Sequence, residues 1–417
     1  MSVLDSIHEA QLHREVYISV LNSALQEPGS KRSLAEQIGV TQQYLSYLLN
    51  PETNDLQSFR VPNAKIAQKI ANALPFEREQ REQLLMHMCL ARDGASHINR
   101  TFRADLSDYP LEHFMQELRE AHQKADVATD PHLSRRKYLV VRDICKMLLE
   151  YPVLYTYPLI TIEVCLLLHD AQCLFNRAED ALYHAKLAHA IMDSLSRNDY
   201  FREKERFDSY SIEVFRAEAR AYSDLRLYRE AYERCLQAEA SDAMRYQSET
   251  CIPQLYRDKL QALCRTPRFA LSEAEGLVAR VRAICERSSN QLAPRWLFMA
   301  NQYLARAYLH HHSLKKAKKL LAALFEEIQT LPYIGPLHQI QLLKTYAKLC
   351  WEEEDSTEWE YFIKDALTHA MDAGLTHQIS DMKRTYGPTL APLLKETWQH
   401  YASHSLLELS NEEPQEF

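Results

Sequence analysis

Along most of the chain apolar residues recur at i, i+3, i+4 and i+7, the period of a helix buried on one face. From Leu111 to about Leu409 this pattern predicts a run of longer amphipathic helices, whereas residues 1–92 predict shorter helices separated by Gly, Pro and Asn. Between the two zones, residues 93–110 (DGASHINRTFRADLSDYP) are polar, break the apolar period and end in Pro110, which predicts a linker. The tail 410–417, SNEEPQEF, is acidic and predicts a disordered end. The expected fold class is all-α, with an N-terminal domain over 1–92 and a helical repeat domain over 111–409.

The long zone carries an internal repeat: a small residue, a large one three positions later, then small residues 12 and 19 positions after the first. Ala219, Tyr222, Ala231 and Ala238 fit it fully; Ala305, Tyr308 and Ala317 fit with Leu324 in the last place. His169, Gln172, Ala181 and Ala188 form a weaker copy, and Ala262 with Ala274 and Val281, and Ala347–Cys350 with Ile363–Ala370, form eroded ones. Small residues at these offsets let the two antiparallel helices of a hairpin approach closely, and the large residue fills the gap to the next hairpin. On these residues the zone resembles the tetratricopeptide repeat (TPR), whose period is about 34 residues, although the copies here spread over about 43–50. The resemblance implies a TPR-like α-solenoid; an unrelated helical bundle is the alternative.

Residues 31–50, KRSLAEQIGVTQQYLSYLLN, are the most informative stretch. Ser33 is placed to cap a helix with Leu34, Ala35 and Ile38 on one face, and Gly39 to end it, because a left-handed residue there needs no Cβ. Val40 plugs the core under the turn. Thr41 is a good cap for a second helix, Gln42–Leu49, whose Leu45 and Leu48 face inward. Gln42, Gln43, Tyr44, Ser46 and Tyr47 then face outward. A helix-turn-helix that reads DNA needs a supported second helix whose N-terminal end projects amides into the major groove. Glutamine bonds adenine bidentately, and tyrosine reaches a phosphate or a thymine methyl. Lys31 and Arg32 at the start of the first helix, and Arg60 and Lys65 beyond the second, are placed to meet phosphates.

The segment Glu15–Leu74 resembles the Cro/repressor-type (XRE-type) helix-turn-helix family, matching its pattern at Leu34, Ala35, Gly39, Val40, Ser46 and Asn50. The resemblance implies base-reading roles for Gln42, Gln43 and Tyr47 and a phosphate contact at Thr41. The loop 51–60, PETNDLQSFR, is longer and more acidic than is usual in that family.

Charge and composition narrow the function. The chain has a net charge of −8, so it is not basic throughout, and the local excess rests on Lys31, Arg32, Arg60, Lys65 and Lys69 against Glu36, Glu52 and Asp55. Specific binding then benefits from a dimer on two half-sites. Its 7 glycines are too scattered for a phosphate loop or a dinucleotide fingerprint. Nine cysteines without a CxxC pair fit free thiols in a reducing cytoplasm. No apolar run has the length of a signal peptide or a membrane span. HExxH and GxSxG are absent, and His310-His311-His312 occupies an expected turn with no further ligand at metal spacing. The expectation is a protein that is not an enzyme and has no cofactor, metal or membrane partner.

In a repeat superhelix the first helix of each hairpin lines the concave side. The offsets place Glu213, Arg216, Arg220 and Asp224 there, then Met299, Gln302 and Arg306, then Gln341, Lys344 and Lys348, with Asn301 beside the row. A polar groove with a basic bias suits a peptide: guanidinium groups hold carboxylates or carbonyls, and the amide of Asn301 clamps a peptide backbone. Solvated helix faces are the plain alternative.

A helix-turn-helix followed by a TPR-like array resembles the RRNPP group of peptide-pheromone receptors. The resemblance implies a homodimeric cytoplasmic regulator that binds double-stranded DNA at an inverted repeat and is controlled by a short peptide in its repeat domain. Two other readings remain open at this point: a regulator or scaffold whose repeats grip a protein partner, and a chain whose N-terminal helices serve only self-association.

Overall fold

A computed structural model describes residues 3–25, 29–49, 62–105, 111–127, 131–150, 152–175, 177–195, 204–241, 244, 251–266, 269–328, 330–331, 334–372 and 375–397. The chain is all-α: no strand occurs among the described residues. No helix among them is long and apolar enough to cross a membrane. Residues form two compact units. One comprises the described parts of Met1–Ala125, Arg135–Ile144 and Lys395–Phe417; the other comprises those of Asp126–Ser134 and Cys145–Leu394.

The first unit contains α1 (Val3–Ala24), α2 (Ser30–Ile38), α3 (Gln42–Leu48), α4 (Ala64–Ala73) and α5 (Arg78–Asp105), and most of α6 (Leu111–Val127). Its core is built from Tyr17 and Leu21 of α1, Leu34, Ala35 and Ile38 of α2, Leu45 and Leu48 of α3, Ile70 and Ala71 of α4, and Leu84 and Met88 of α5. In each helix these residues recur three or four positions apart or stand side by side, so every helix buries one stripe. Helix α1 packs along α5, where Nδ1 of His13 lies 3.0 Å from Nδ1 of His87.

Two sequence expectations shift here. Helix α2 starts before Ser33: Gly29, at φ +89°, precedes it, and the amide of Ser33 already bonds the Gly29 carbonyl at 3.0 Å. Ser33 is therefore inside the helix, and the hydroxyl of Ser30 donates to the Leu25 carbonyl at 2.8 Å instead of capping. Residues 93–105, the first part of the expected linker, are the end of α5. No proline falls between Phe76 and Tyr109 to stop a helix there, so α5 runs on through the polar stretch. Residues 106–110 and the tail 410–417 lie outside the described residues, as does the loop 51–60 with Arg60.

Helix α7 (Pro131–Leu149) precedes the hairpins of the second unit. These pair α8 (Pro158–Leu174) with α9 (Ala178–Ser194), α10 (Lys204–Asp224) with α11 (Tyr228–Ala240), and α12 (Cys251–Leu263) with α13 (Leu271–Cys285). They continue with α14 (Ala293–His310) and α15 (Leu314–Glu327), then α16 (Pro336–Glu352) and α17 (Ser356–Asp372), and α18 (Thr376–Tyr386) follows. The repeat positions sit at the hairpin contacts. Ala181, Ala188, Ala231, Ala238, Ala262, Ala274, Ala305, Ala317, Ala347 and Ala370 all have 0% exposure. An alanine there lets two helix backbones close in; a larger side chain would force them apart.

The turns repeat as well. Arg226, His312 and Glu354 adopt φ of 66°, 52° and 59°, each seven positions after the repeat's first small residue. The next amide folds back onto the helix: Leu227 N–H to the Tyr222 carbonyl at 2.8 Å, Ser313 to Tyr308 at 2.8 Å, and Asp355 to Cys350 at 2.9 Å. Arg177 to Gln172, at 2.9 Å, is the equivalent bond of the first hairpin. This is the helix-ending arrangement in which a left-handed residue lets a following N–H satisfy an orphan carbonyl.

Candidate functional site

In the first unit the α2–α3 turn is made by Gly39 at φ +77°. The amides of Gly39 and Val40 both bond the Ala35 carbonyl at 3.0 Å, and Val40 packs against the core. The ammonium of Lys69 on α4 donates to the Ile38 carbonyl at 3.0 Å, adding a cation to the C-terminal end of α2. Thr41 caps α3, its Oγ1 accepting from the Tyr44 amide at 3.0 Å. With Leu45 and Leu48 fully buried, the opposite face presents Gln42, Gln43 and Ser46 to solvent. Tyr44 and Tyr47 are half-buried. Lys31 and Arg32 stand on the first turn of α2, where Arg32 pairs with Glu36 at 2.9 Å on the open surface. Such exposed pairs contribute only about 0.3–0.5 kcal/mol, so the guanidinium is readily redirected. Lys65 is exposed near the start of α4, next to Asn63, whose Oδ1 caps that helix through the Ile66 amide at 2.9 Å.

The first helices of successive hairpins in the second unit are joined by polar side chains, rung after rung. Arg220 on α10 donates to Asp170 on α8 at 3.0 Å. Arg216 on α10 donates to Asp258 on α12 at 3.1 Å, and also to Glu213 and to Gln254. The hydroxyl of Tyr303 on α14 donates to Gln261 on α12 at 2.9 Å. Arg306 on α14 donates through Nε to Thr345 Oγ1 at 3.1 Å and through Nη2 to the Gln341 carbonyl at 3.4 Å, both on α16. Gln302 donates to the His338 carbonyl at 2.9 Å. Lys344 on α16 reaches Gln378 at 2.9 Å and Asp381 on α18.

Charge compensation differs from rung to rung. Burial works against the Arg216 guanidinium, but Glu213 and Asp258 outweigh it and raise its pKa above the ordinary value. Burial also favours the neutral form of Asp381, yet Lys344 and Arg384 hold its carboxyl below the usual range. Arg306 is different: burial lowers its pKa, and Arg265 adds repulsion. Lys344 is pushed down as well, by burial first and by Arg306 and Arg265 in addition.

The structure thus brings Arg216, Arg220, Gln302, Arg306 and Lys344 together as parts of one ladder. Lys348 stands half-exposed near Glu352 at 3.7 Å. Asn301 is buried, and its Oδ1 has no hydrogen-bond partner among the described residues; at about 100° per residue it lies roughly 140° around α14 from Arg306. It is not grouped with the others. Sequence offsets missed the acids that complete the ladder, Asp170, Asp258 and Asp381. The available signal was their spacing: Asp258 lies about one repeat after Arg216, and Asp381 about one repeat after Lys344.

Two other constellations have plain structural roles. His310 and His311 lie against the Phe269 ring, at centroid distances of 5.3 and 4.7 Å, and His312 takes the left-handed turn position. Cys173 Sγ is 3.4 Å from His169 Nε2, whose Nδ1 is 3.2 Å from Asp170. Burial pushes that thiol well above its ordinary pKa, the opposite of what an activated nucleophile requires. The nine cysteines are free, and all but Cys89 are buried.

Comparisons of the chain with protein-family models, with curated proteins and with solved structures return no match.

Proposed function

We propose that this protein is a sequence-specific, homodimeric, cytoplasmic DNA-binding transcriptional regulator with an XRE-type helix-turn-helix and a TPR-like solenoid of the RRNPP kind. The observation that carries the first half is the α3 face. Gln42, Gln43 and Ser46 are exposed on a capped helix anchored by Leu45 and Leu48, behind a turn closed by Gly39. Those amides suit the adenine edge in the major groove, and Lys31, Arg32, Lys65 and the Thr41 region suit flanking phosphates. Arg60 is assigned to a phosphate on the sequence reading alone.

The second half of the proposal is that the repeat domain binds a short peptide, which controls DNA binding. Support comes from the five hairpins sharing buried small positions and from the basic residues gathered on their first helices. Half-site spacing is fixed on DNA, so a ligand that binds one arrangement of the two DNA-reading heads more tightly shifts operator affinity by that difference.

The test is selection of bound sequences from a random duplex pool by the full chain, with a Gln42→Ala/Gln43→Ala variant beside it at the same salt. An enriched inverted repeat that is lost in the variant supports the reading. No enrichment by the unmodified chain at low salt, or enrichment unchanged in the variant, argues against it.

A further inference from the structure

We propose that Arg306 seats a carboxylate of the peptide ligand, an inference that rests on the peptide-binding reading above. Each cation on the α8–α12 side of the ladder has its acid: Arg220 has Asp170, and Arg216 has Glu213 and Asp258. On the α14–α18 side the balance fails. Asp381 is shared by Lys344 and Arg384, and Arg306 bonds only the neutral oxygens of Thr345 and Gln341. Among the described residues, three cations therefore meet one carboxylate. Nη1 of Arg306 carries no bond to any described residue.

The geometry around that guanidinium favours a planar anion. Nε and Nη2 are tied to α16, and the group sits 5.3 Å from the centroid of the Tyr303 ring. Tyr303 is itself held by its hydroxyl bond to Gln261. The fork is thus oriented before any ligand arrives, which reduces the ordering cost of binding. A carboxylate bonded at Nη1 would supply the missing negative charge through a charge-assisted hydrogen bond, the strongest kind open to a peptide. It would also relieve the repulsion among Arg306, Arg265 and Lys344 noted above. The carboxylate can be the ligand's C-terminus or an Asp or Glu side chain, and the experiment separates the two.

Two synthetic hexapeptide libraries of the same mixed sequences, one with free C-terminal carboxylates and one amidated, are equilibrated with the full chain, and retained peptides are identified by mass spectrometry. Arg306→Met and Arg306→Lys are run beside the unmodified chain. Retention confined to the free-acid library assigns the C-terminus; enrichment of Asp or Glu in both libraries assigns a side chain. In either case Arg306→Met should lose the preference by about tenfold or more, the size of one charge-assisted bond, and Arg306→Lys should keep part of it. Peptides retained without acid preference, or a preference that survives in Arg306→Met, overturn the assignment while leaving the peptide reading intact. Retention of no peptide overturns both. A melting temperature for ligand-free Arg306→Met equal to or above that of the unmodified chain is expected from removal of an uncompensated cation; a drop of several degrees would make Arg306 a structural residue and overturn the proposal.

Discussion

Arg216 on α10 and Asp258 on α12, 42 positions apart in sequence, meet at 3.1 Å with less than a tenth of either side chain exposed. The pair links one hairpin to the next. Asp258 also accepts from Arg257 at 2.8 Å, so one carboxylate answers two guanidinium groups. Replacing it strands charge in a buried place, which is far costlier than losing an exposed ion pair. Asp258→Ala should therefore destabilise the second unit by about 3 kcal/mol, the usual cost of breaking a buried pair from one side. Urea denaturation followed by circular dichroism measures it; a change below about 0.5 kcal/mol, the size of an exposed substitution, would refute it.

At the α2–α3 turn the demand is on the backbone. Gly39 holds φ +77°, and a Cβ added there would meet only the Lys69 ammonium at 3.8 Å, an ordinary contact. The cost of Gly39→Ala is accordingly conformational, about 1–2 kcal/mol. Gly39→Asn should cost less, since asparagine tolerates the left-handed region better. Equal losses for the two variants would show that something other than the backbone angle is at stake.

Gln42 and Gln43 present the reverse case, because both side chains are exposed to solvent. The double alanine variant should unfold within about 0.5 kcal/mol of the unmodified chain, while its selected DNA binding is lost. A clear loss of stability would mean that the amides act in folding, and the binding result would no longer bear on base contacts.

How much of this was legible in the sequence follows from what each signal encodes. Gly39, Thr41, Leu45 and Leu48 could be assigned because their roles are local: a left-handed turn, a cap and a stripe three residues apart. The small positions from Ala181 to Ala370 could be assigned because close helix contact repeats with the hairpin. Arg216, Arg220 and Lys344 stand on the helices to which the offsets assign them, with Glu213 beside Arg216, but Asp170, Asp258 and Asp381, which hold them from elsewhere, were not foreseen. Those acids stand on other hairpins, and helical periodicity says nothing about which face meets which. Ser33 misled for a local reason, since a helix can begin at any good start and Gly29 supplied one earlier.

Acid should weaken the first unit through His87. Burial first, and the neighbouring His13 second, depress its pKa from 6.5 to about 4. The native state therefore favours neutral His87, while the unfolded chain takes up a proton near pH 6.5. This contribution is fully present above about pH 6.5 and is lost as the pH falls from there through about 4. Denaturation midpoints between pH 7 and pH 4 should decline, and His87→Gln should flatten the decline over this window. An unchanged slope in that variant would assign the acid sensitivity to other groups.

The small-residue positions predict their own failure. Ala305 on α14 and Ala317 on α15 are both fully buried where the two helices of one hairpin meet. Ala305→Leu should cost about 1–3 kcal/mol through overpacking, whereas Ala323→Leu, on the exposed side of α15, should cost little. Comparable effects of the two changes in thermal melts would contradict the close approach.

The left-handed turns at Arg226, His312 and Glu354 impose one backbone shape on three different side chains, none of them glycine. Each residue bears a steric cost of about 1 kcal/mol that a glycine would escape. The second unit thus contains three places where its working sequence stops short of its most durable one, and glycine at all three is a direct route to a hardier version of the same fold.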